Sequence, residues 1–131
     1  MILEIFTVCK RAISIADQFR ISDTFDEFKS ASVPLTVDFD VVVRVRFEAY
    51  ESSDAKRVLS LRLFDQNGME LSRSQAIDCR LHPHRLYKTN SAGFVFHFLG
   101  ACFEEFGEYT LVFCVGSVAV SSIPLFVSPK A

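Results

Sequence analysis

The feature that most constrains this chain is an alternation of apolar and polar residues with period two, recurring nearly from end to end. Period two is the mark of a strand, because successive side chains leave a strand on opposite faces. From Asp40 to Tyr50 one parity carries Val41, Val43, Val45, Phe47 and Ala49, and the other includes Arg44, Arg46 and Glu48, which predicts a half-buried strand. Arg57 to Asp65 repeats the pattern, with Leu59, Leu61 and Leu63 opposed to Ser60 and Arg62. Asp65-Gln66-Asn67-Gly68 then offers residues that tolerate a tight reversal, Gly68 above all, and a second strand from Met69 to about Cys79 completes a hairpin. Gly93 to Leu99 sets Phe94, Phe96 and Phe98 against Val95, His97 and Leu99. Apolar groups on both faces predict a central strand there. Ala101 to Phe106 reads as a loop or a single turn. Gly107 to Val115 follows with Tyr109, Leu111, Phe113 and Val115 on one parity, and Gly116-Ser117 turns into a last strand, Val118 to Val127. In that strand the apolar parity shifts from Val118 and Val120 to Ile123, Leu125 and Val127, which predicts a β-bulge near Ser121-Ser122. Pro124 suits an edge. The N-terminal third reads as strands over Leu3 to Lys10, Ala12 to Ala16 and Phe19 to Phe28, then a connection from Ser30 to Pro34. No helix is predicted.

Eight or nine short strands with turns between them and no amphipathic helices specify an all-β, antiparallel β-sandwich. A chain of 131 residues is one domain, 1–131, long enough to bury roughly two thirds of its unfolded surface. With half its residues apolar and 23% charged it is no disordered tail. A net charge of −2 argues against capture of nucleic acid or anionic membrane by bulk electrostatics. The apolar start, Met1 to Cys9, is interrupted by Glu4, and the basic pair Lys10-Arg11 follows it rather than precedes it, unlike a signal peptide. No run reaches the ~18 apolar residues of a membrane span. Cys9, Cys79, Cys102 and Cys114 are widely spaced with no C-x-x-C, so they read as free thiols of a cytoplasmic protein.

Phe106-Gly107-Glu108-Tyr109-Thr110-Leu111-Val112-Phe113 resembles the G-x-Y strand entrance near the end of immunoglobulin-like and fibronectin-type sandwiches. The resemblance implies an immunoglobulin-like fold in which the Tyr109 hydroxyl pins a corner by bonding back to the backbone. The antibody pattern is absent: the chain has no Trp, and Leu111 stands where that pattern has Cys. Over nearly its whole length the chain also resembles a family of uncharacterised bacterial proteins, a domain of unknown function. That likeness is carried by Ile5 to Arg11, by Gln18 to Asp26, by the Pro34 connection into the strand at Val41, by Gly107-Glu108-Tyr109 and by Ile123-Pro124-Leu125. It implies a bacterial or phage-related sandwich and brings no catalytic residues.

Few residues offer chemistry. Cys79-Arg80-Leu81-His82-Pro83-His84 holds three metal-ligating side chains, but Pro83 restricts His82 and no fourth ligand stands at a recognisable spacing, so no metal site and no cofactor are predicted. Arg80, His82, His84, Arg85 and Lys88, with Tyr87 among them, form a basic stretch that could hold a small anion or nucleotide, extended by Arg44, Arg46 and Arg62 if their strands are neighbours. Glu104, Glu105 and Glu108 form an acidic group of undefined separation. His97 alternates with Phe96 and Phe98 and reads as packed or surface-facing. No nucleophile elbow appears. The leading expectation is a non-enzymatic interaction module acting through protein contacts or self-association, since Val42, Phe64 and Val95 place apolar surface opposite the best core parity. Of the 14 Phe, Phe64, Phe103 and Phe106 fall outside that parity and are the expected interface residues. Tyr109 and Gly68 are expected to be structural.

Overall fold

The computed structural model describes residues 1–15, 18–48, 53–81 and 89–130. Ten strands follow one another: β1 (Ile2–Ile15), β2 (Gln18–Phe25), β3 (Glu27–Ser30), β4 (Leu35–Glu48), β5 (Ser53–Phe64), β6 (Glu70–Arg73), β7 (Ile77–Leu81), β8 (Thr89–Phe103), β9 (Gly107–Val115) and β10 (Val118–Pro129). They form two packed sheets, one ordered β2-β1-β4-β8 and the other β3-β10-β9-β5-β6, with β7 also on β5. The architecture is therefore a β-sandwich. Every pairing is antiparallel except β3 on β10. Among the described residues no helix is long and apolar enough to cross a membrane.

The core is the set of inward parities. Val41, Val43, Val45 and Phe47 from β4 meet Leu59, Leu61 and Leu63 from β5, Leu111 and Phe113 from β9, and Leu125 and Val127 from β10, all buried. Large rings fill the space between sheets: Phe39 stacks on Phe98 at 4.9 Å between centroids, and Phe96 and Phe6 meet Phe113 edge-on. Such pairs add stability beyond their buried area. This packing accounts for much of the chain's phenylalanine.

Local chemistry sets the strand breaks. In the Asp65–Gly68 turn the Asp65 carboxylate accepts the backbone N–H groups of Asn67 and Met69, each at 2.9 Å, and Gly68 takes φ +81°, a left-handed value that glycine adopts without cost. The strand expected after this turn is in fact two, β6 and β7, both on β5. Ser74 divides them: its Oγ accepts the Leu61 N–H at 2.9 Å and its own N–H donates to the Leu61 carbonyl, so a side chain replaces one ladder bond. At the N-terminus, β1 runs unbroken through the residues expected as two strands. The strand expected from Phe19 to Phe28 divides at Asp26, where the chain passes from one sheet to the other.

Two expectations about β8 are corrected. It is an edge strand rather than a central one, and it continues to Phe103 rather than yielding to a loop at Ala101. A bulge explains the second point. Leu99 and Gly100 together oppose Asp38; Gly100 takes φ +66° and donates its N–H to Asp38 Oδ1 at 2.6 Å. The extra residue flips the inward parity from Phe96 and Phe98 to Ala101 and Phe103. Phe103 is thus 0% exposed, against Tyr109 and Phe28, and is a core residue, not an interface one. In β10 the predicted bulge falls between Ala119 and Ser121. Pro124 lies where β10 has not yet met β3, locally an edge.

Candidate functional site

The outer face of the four-stranded sheet gathers the chain's most developed polar constellation. Period two sends Asp40, Val42, Arg44 and Arg46 outward from β4, and the register sets Cys9 of β1 and His97 of β8 directly opposite Asp40 on either side. Beyond Cys9, β1 leaves β4 and stays paired only with β2, to Ile15↔Gln18. This arm lies over the sheet. The Ala12 N–H donates to Asp40 Oδ2 at 2.8 Å, Cys9, Ala12 and Val42 are buried together, and Ile5, Phe19 and Val95 pack on them. The Phe19 ring rests against Gly93 so closely that any side chain at 93 would collide with it. Val42 and Val95, on the second face of β4 and β8, are therefore covered by the chain itself, which is why β8 resembles a central strand in sequence.

Between the arm and β8 is an open cleft of about 710 Å³, whose polar rim includes Lys10, Arg11, Asp38, Asp40 and His97. A second recess of about 310 Å³, between Gln75–Ile77 and Val95–His97, adjoins it at β8. His97 donates from Nδ1 to Asp40 Oδ1 at 2.6 Å, with its side chain 60% exposed and that of Asp40 nearly covered. Asp40 thus holds both the imidazole and the arm.

A carboxylate orienting an imidazole is half of a nucleophilic catalytic set. Among the described residues no nucleophile is bonded to His97. Cys9, the nearest nucleophile by register, is 0% exposed, and its thiol is pushed up to about 11, first by burial and then by the Asp40 charge. At pH 7 only about one in 10⁴ such thiols is ionised, and the thiolate is the reactive form. Among the described residues no three His, Cys, Asp or Glu side chains are placed to hold a metal ion.

The charges of this face divide into satisfied and unsatisfied. Arg44 and Arg46 share Glu4, at 3.5 and 2.9 Å, and Arg44 also donates to Ser91 Oγ. Asp38 accepts from Gly100 and Asp40 from Ala12 and His97. Lys10 and Arg11 are exposed and have no side-chain partner among the described residues. Arg62 does not extend this face. It lies in the other sheet, bonded through both Nε and Nη2 to Glu70 and placed 4.9 Å over the Phe64 ring.

Of the residues singled out by sequence, His82, His84, Arg85 and Lys88 lie outside the described residues, and Arg80 is described only as backbone of β7. Phe64 is half-buried under Arg62, and Phe106 packs against the core while its carbonyl accepts from Gln66 Nε2. The Tyr109 hydroxyl donates to the Glu105 carbonyl at 2.6 Å and accepts the Glu105 N–H at 3.3 Å, closing the corner before β9. Glu104 and Glu105 line, with Asp65, a recess of about 100 Å³, far below the usual size of a ligand pocket. The Asp40–His97 pair and the Lys10-Arg11 arm were missed by sequence reasoning. Their one local signal is a carboxylate at an outward position inside an apolar strand.

A family model describing a family of unknown function (DUF6941) matches residues 4–128. No curated protein and no solved structure matches the chain.

Proposed function

The chain belongs to that family of unknown function, which transfers no activity, and we propose that it is a non-enzymatic interaction module acting through protein contacts, with β8 as the strand it offers. One observation carries this reading: among the described residues, β8 is the long sheet edge that bears neither charge nor proline. Exposed edges are normally blunted by shortness, charge, proline or distortion. β3 and β6 have four residues each and β7 has five, all bearing charges. β2 carries Arg20 and Asp23, the latter at φ +53°. β8 runs for 15 residues without Asp, Glu, Lys, Arg or Pro, its one interruption being the bulge that leaves Leu99 80% exposed. Strand addition to such an edge is a common mode of peptide recognition.

The Tyr109 corner supports an immunoglobulin-like sandwich, and the sequence resemblance supports a bacterial or phage source. Cys9, Cys102 and Cys114 stand as free thiols, the ordinary state in a cytoplasm. The test is selection of a random decapeptide library displayed on phage against the full chain, followed by amide hydrogen exchange with the recovered peptides. Slowed exchange in β8 is expected, as it is if a second copy is the strand taken up at high concentration. Recovered peptides that protect only other edges, or a monomer whose β8 amides nothing protects, would overturn the reading.

A further inference from the structure

We infer that Asn67 is a site of spontaneous modification: the backbone nitrogen of Gly68 attacks the Asn67 side-chain amide, at a rate that Asp65 sets by holding the turn closed. Asparagine is among the thermally labile residues, and a following glycine, with no Cβ to hinder ring closure, makes it more so. The Gly68 nitrogen gives its proton to solvent base and forms a bond to Asn67 Cγ. The bond from Cγ to the side-chain nitrogen breaks, and that nitrogen takes a proton and leaves as ammonia. Water then opens the succinimide ring at either carbonyl. One opening gives aspartate; the other gives isoaspartate, whose backbone runs through the former side chain and is one methylene longer. Nothing is oxidised or reduced, and water is the co-reactant.

The turn between β5 and β6 supplies both the opportunity and the restraint. Asn67 and Gly68 are exposed, and a Cβ placed on Gly68 would meet nothing within 4 Å among the described residues. β6, which the turn leads into, is an edge strand of four residues, the kind of element that opens locally before the core does. Against this, the Gly68 N–H donates to the Asp65 carbonyl at 3.1 Å, and Asp65 Oδ1 accepts the N–H groups of Asn67 and Met69. The attacking nitrogen is engaged in the closed turn, so the turn must open before the ring forms. Isoaspartate then works against reclosure. It lengthens the backbone between the two N–H groups that Asp65 Oδ1 spans, and it adds a carboxylate to a recess already lined by Asp65, Glu104 and Glu105. The chain's other asparagine, Asn90, is followed by Ser91 and lies within β8, paired with Phe47.

The test is prolonged incubation of the full chain at pH 8, with peptide mapping by mass spectrometry and isoaspartate read by enzymatic methylation. Isoaspartate is expected at position 67 and not at 90, and Asn67→Gln is expected to abolish it. Asp65→Ala removes two exposed hydrogen bonds, and the rate at 67 is expected to rise at least roughly fivefold. Asp65→Ser, which keeps one acceptor oxygen, is expected to fall between that variant and the parent, and circular dichroism shows that each is folded. The isoaspartyl fraction is expected to exchange its Met69 N–H faster than the parent does, whereas Asn67→Asp, which adds the charge without the methylene, keeps it protected. An Asn67 that stays intact in the native chain while it converts in concentrated urea would overturn the inference. So would equal conversion at Asn90, or a rate indifferent to both substitutions of Asp65.

Discussion

Replacing Asp40 by Ala separates the two bonds that its carboxylate makes. The bond from Ala12 lies in a buried pocket, and hydrogen bonds to charged groups contribute about 1.5–3 kcal/mol. The bond from His97 involves a side chain 60% exposed, where ion pairs contribute roughly 0–1 kcal/mol. Asp40→Ala is thus expected to cost about 2–3 kcal/mol, and His97→Ala less than about 1 kcal/mol. For a chain of this length about 1 kcal/mol corresponds to roughly 4 °C in melting temperature, so the losses are near 10 °C and under 4 °C. Calorimetry measures both. Amide exchange adds the local readout: the Ala12 N–H is expected to exchange faster in Asp40→Ala and to stay protected in His97→Ala. A loss in His97→Ala as large as in Asp40→Ala, or an Ala12 amide indifferent to Asp40→Ala, would refute the assignment of Asp40 as the residue that ties the arm to the sheet.

Three further outcomes follow from the same structure. Tyr109→Phe leaves the Glu105 N–H and carbonyl without their partner and is expected to lower the urea midpoint by an equivalent of about 1–3 kcal/mol at unchanged slope. Peptide-resolved alkylation of the native chain at pH 8 is expected to label exposed Cys102 and spare Cys9; Asp40→Asn is expected to lower the Cys9 value while burial, the larger cause, keeps it above that of a free thiol. Glu70 is held at about 2, first by its bond from Arg62 and then by that from Arg73. A depressed carboxylate stabilises the fold above its unfolded value and loses that contribution as pH falls through the folded one. The melting-temperature gap between the parent chain and Glu70→Gln is therefore expected to be level above pH 5, to close between about 4.5 and 2, and to shrink in high salt.

The inward residues of β4, β5, β9 and the end of β10 were legible because a strand's parity is written locally: Val41, Leu61, Leu111 and Leu125 each announce their face by their neighbours two positions away. The Asp65–Gly68 turn and the Tyr109 corner were legible for a similar reason, since each closes within four residues. Phe103 was not, because one extra residue at Leu99–Gly100 inverts every later side chain, and nothing in Leu-Gly distinguishes a bulge from the end of a strand.

The sequence by itself determined that this chain is a two-sheet β protein and which side chains of β4, β5, β9 and the end of β10 fill it, because period-two patterning and hydrophobic burial act residue by residue. Only the tertiary structure decided which strand stands at an edge, what covers the second face of β4, and that Cys9, Asp40 and His97 meet in one row. Those depend on pairing between segments dozens of positions apart. The apolar outer positions Val42 and Val95 show the difference: their composition asked for cover, and the fold supplied it from the chain's own β1–β2 arm, with β8 at the edge of its sheet.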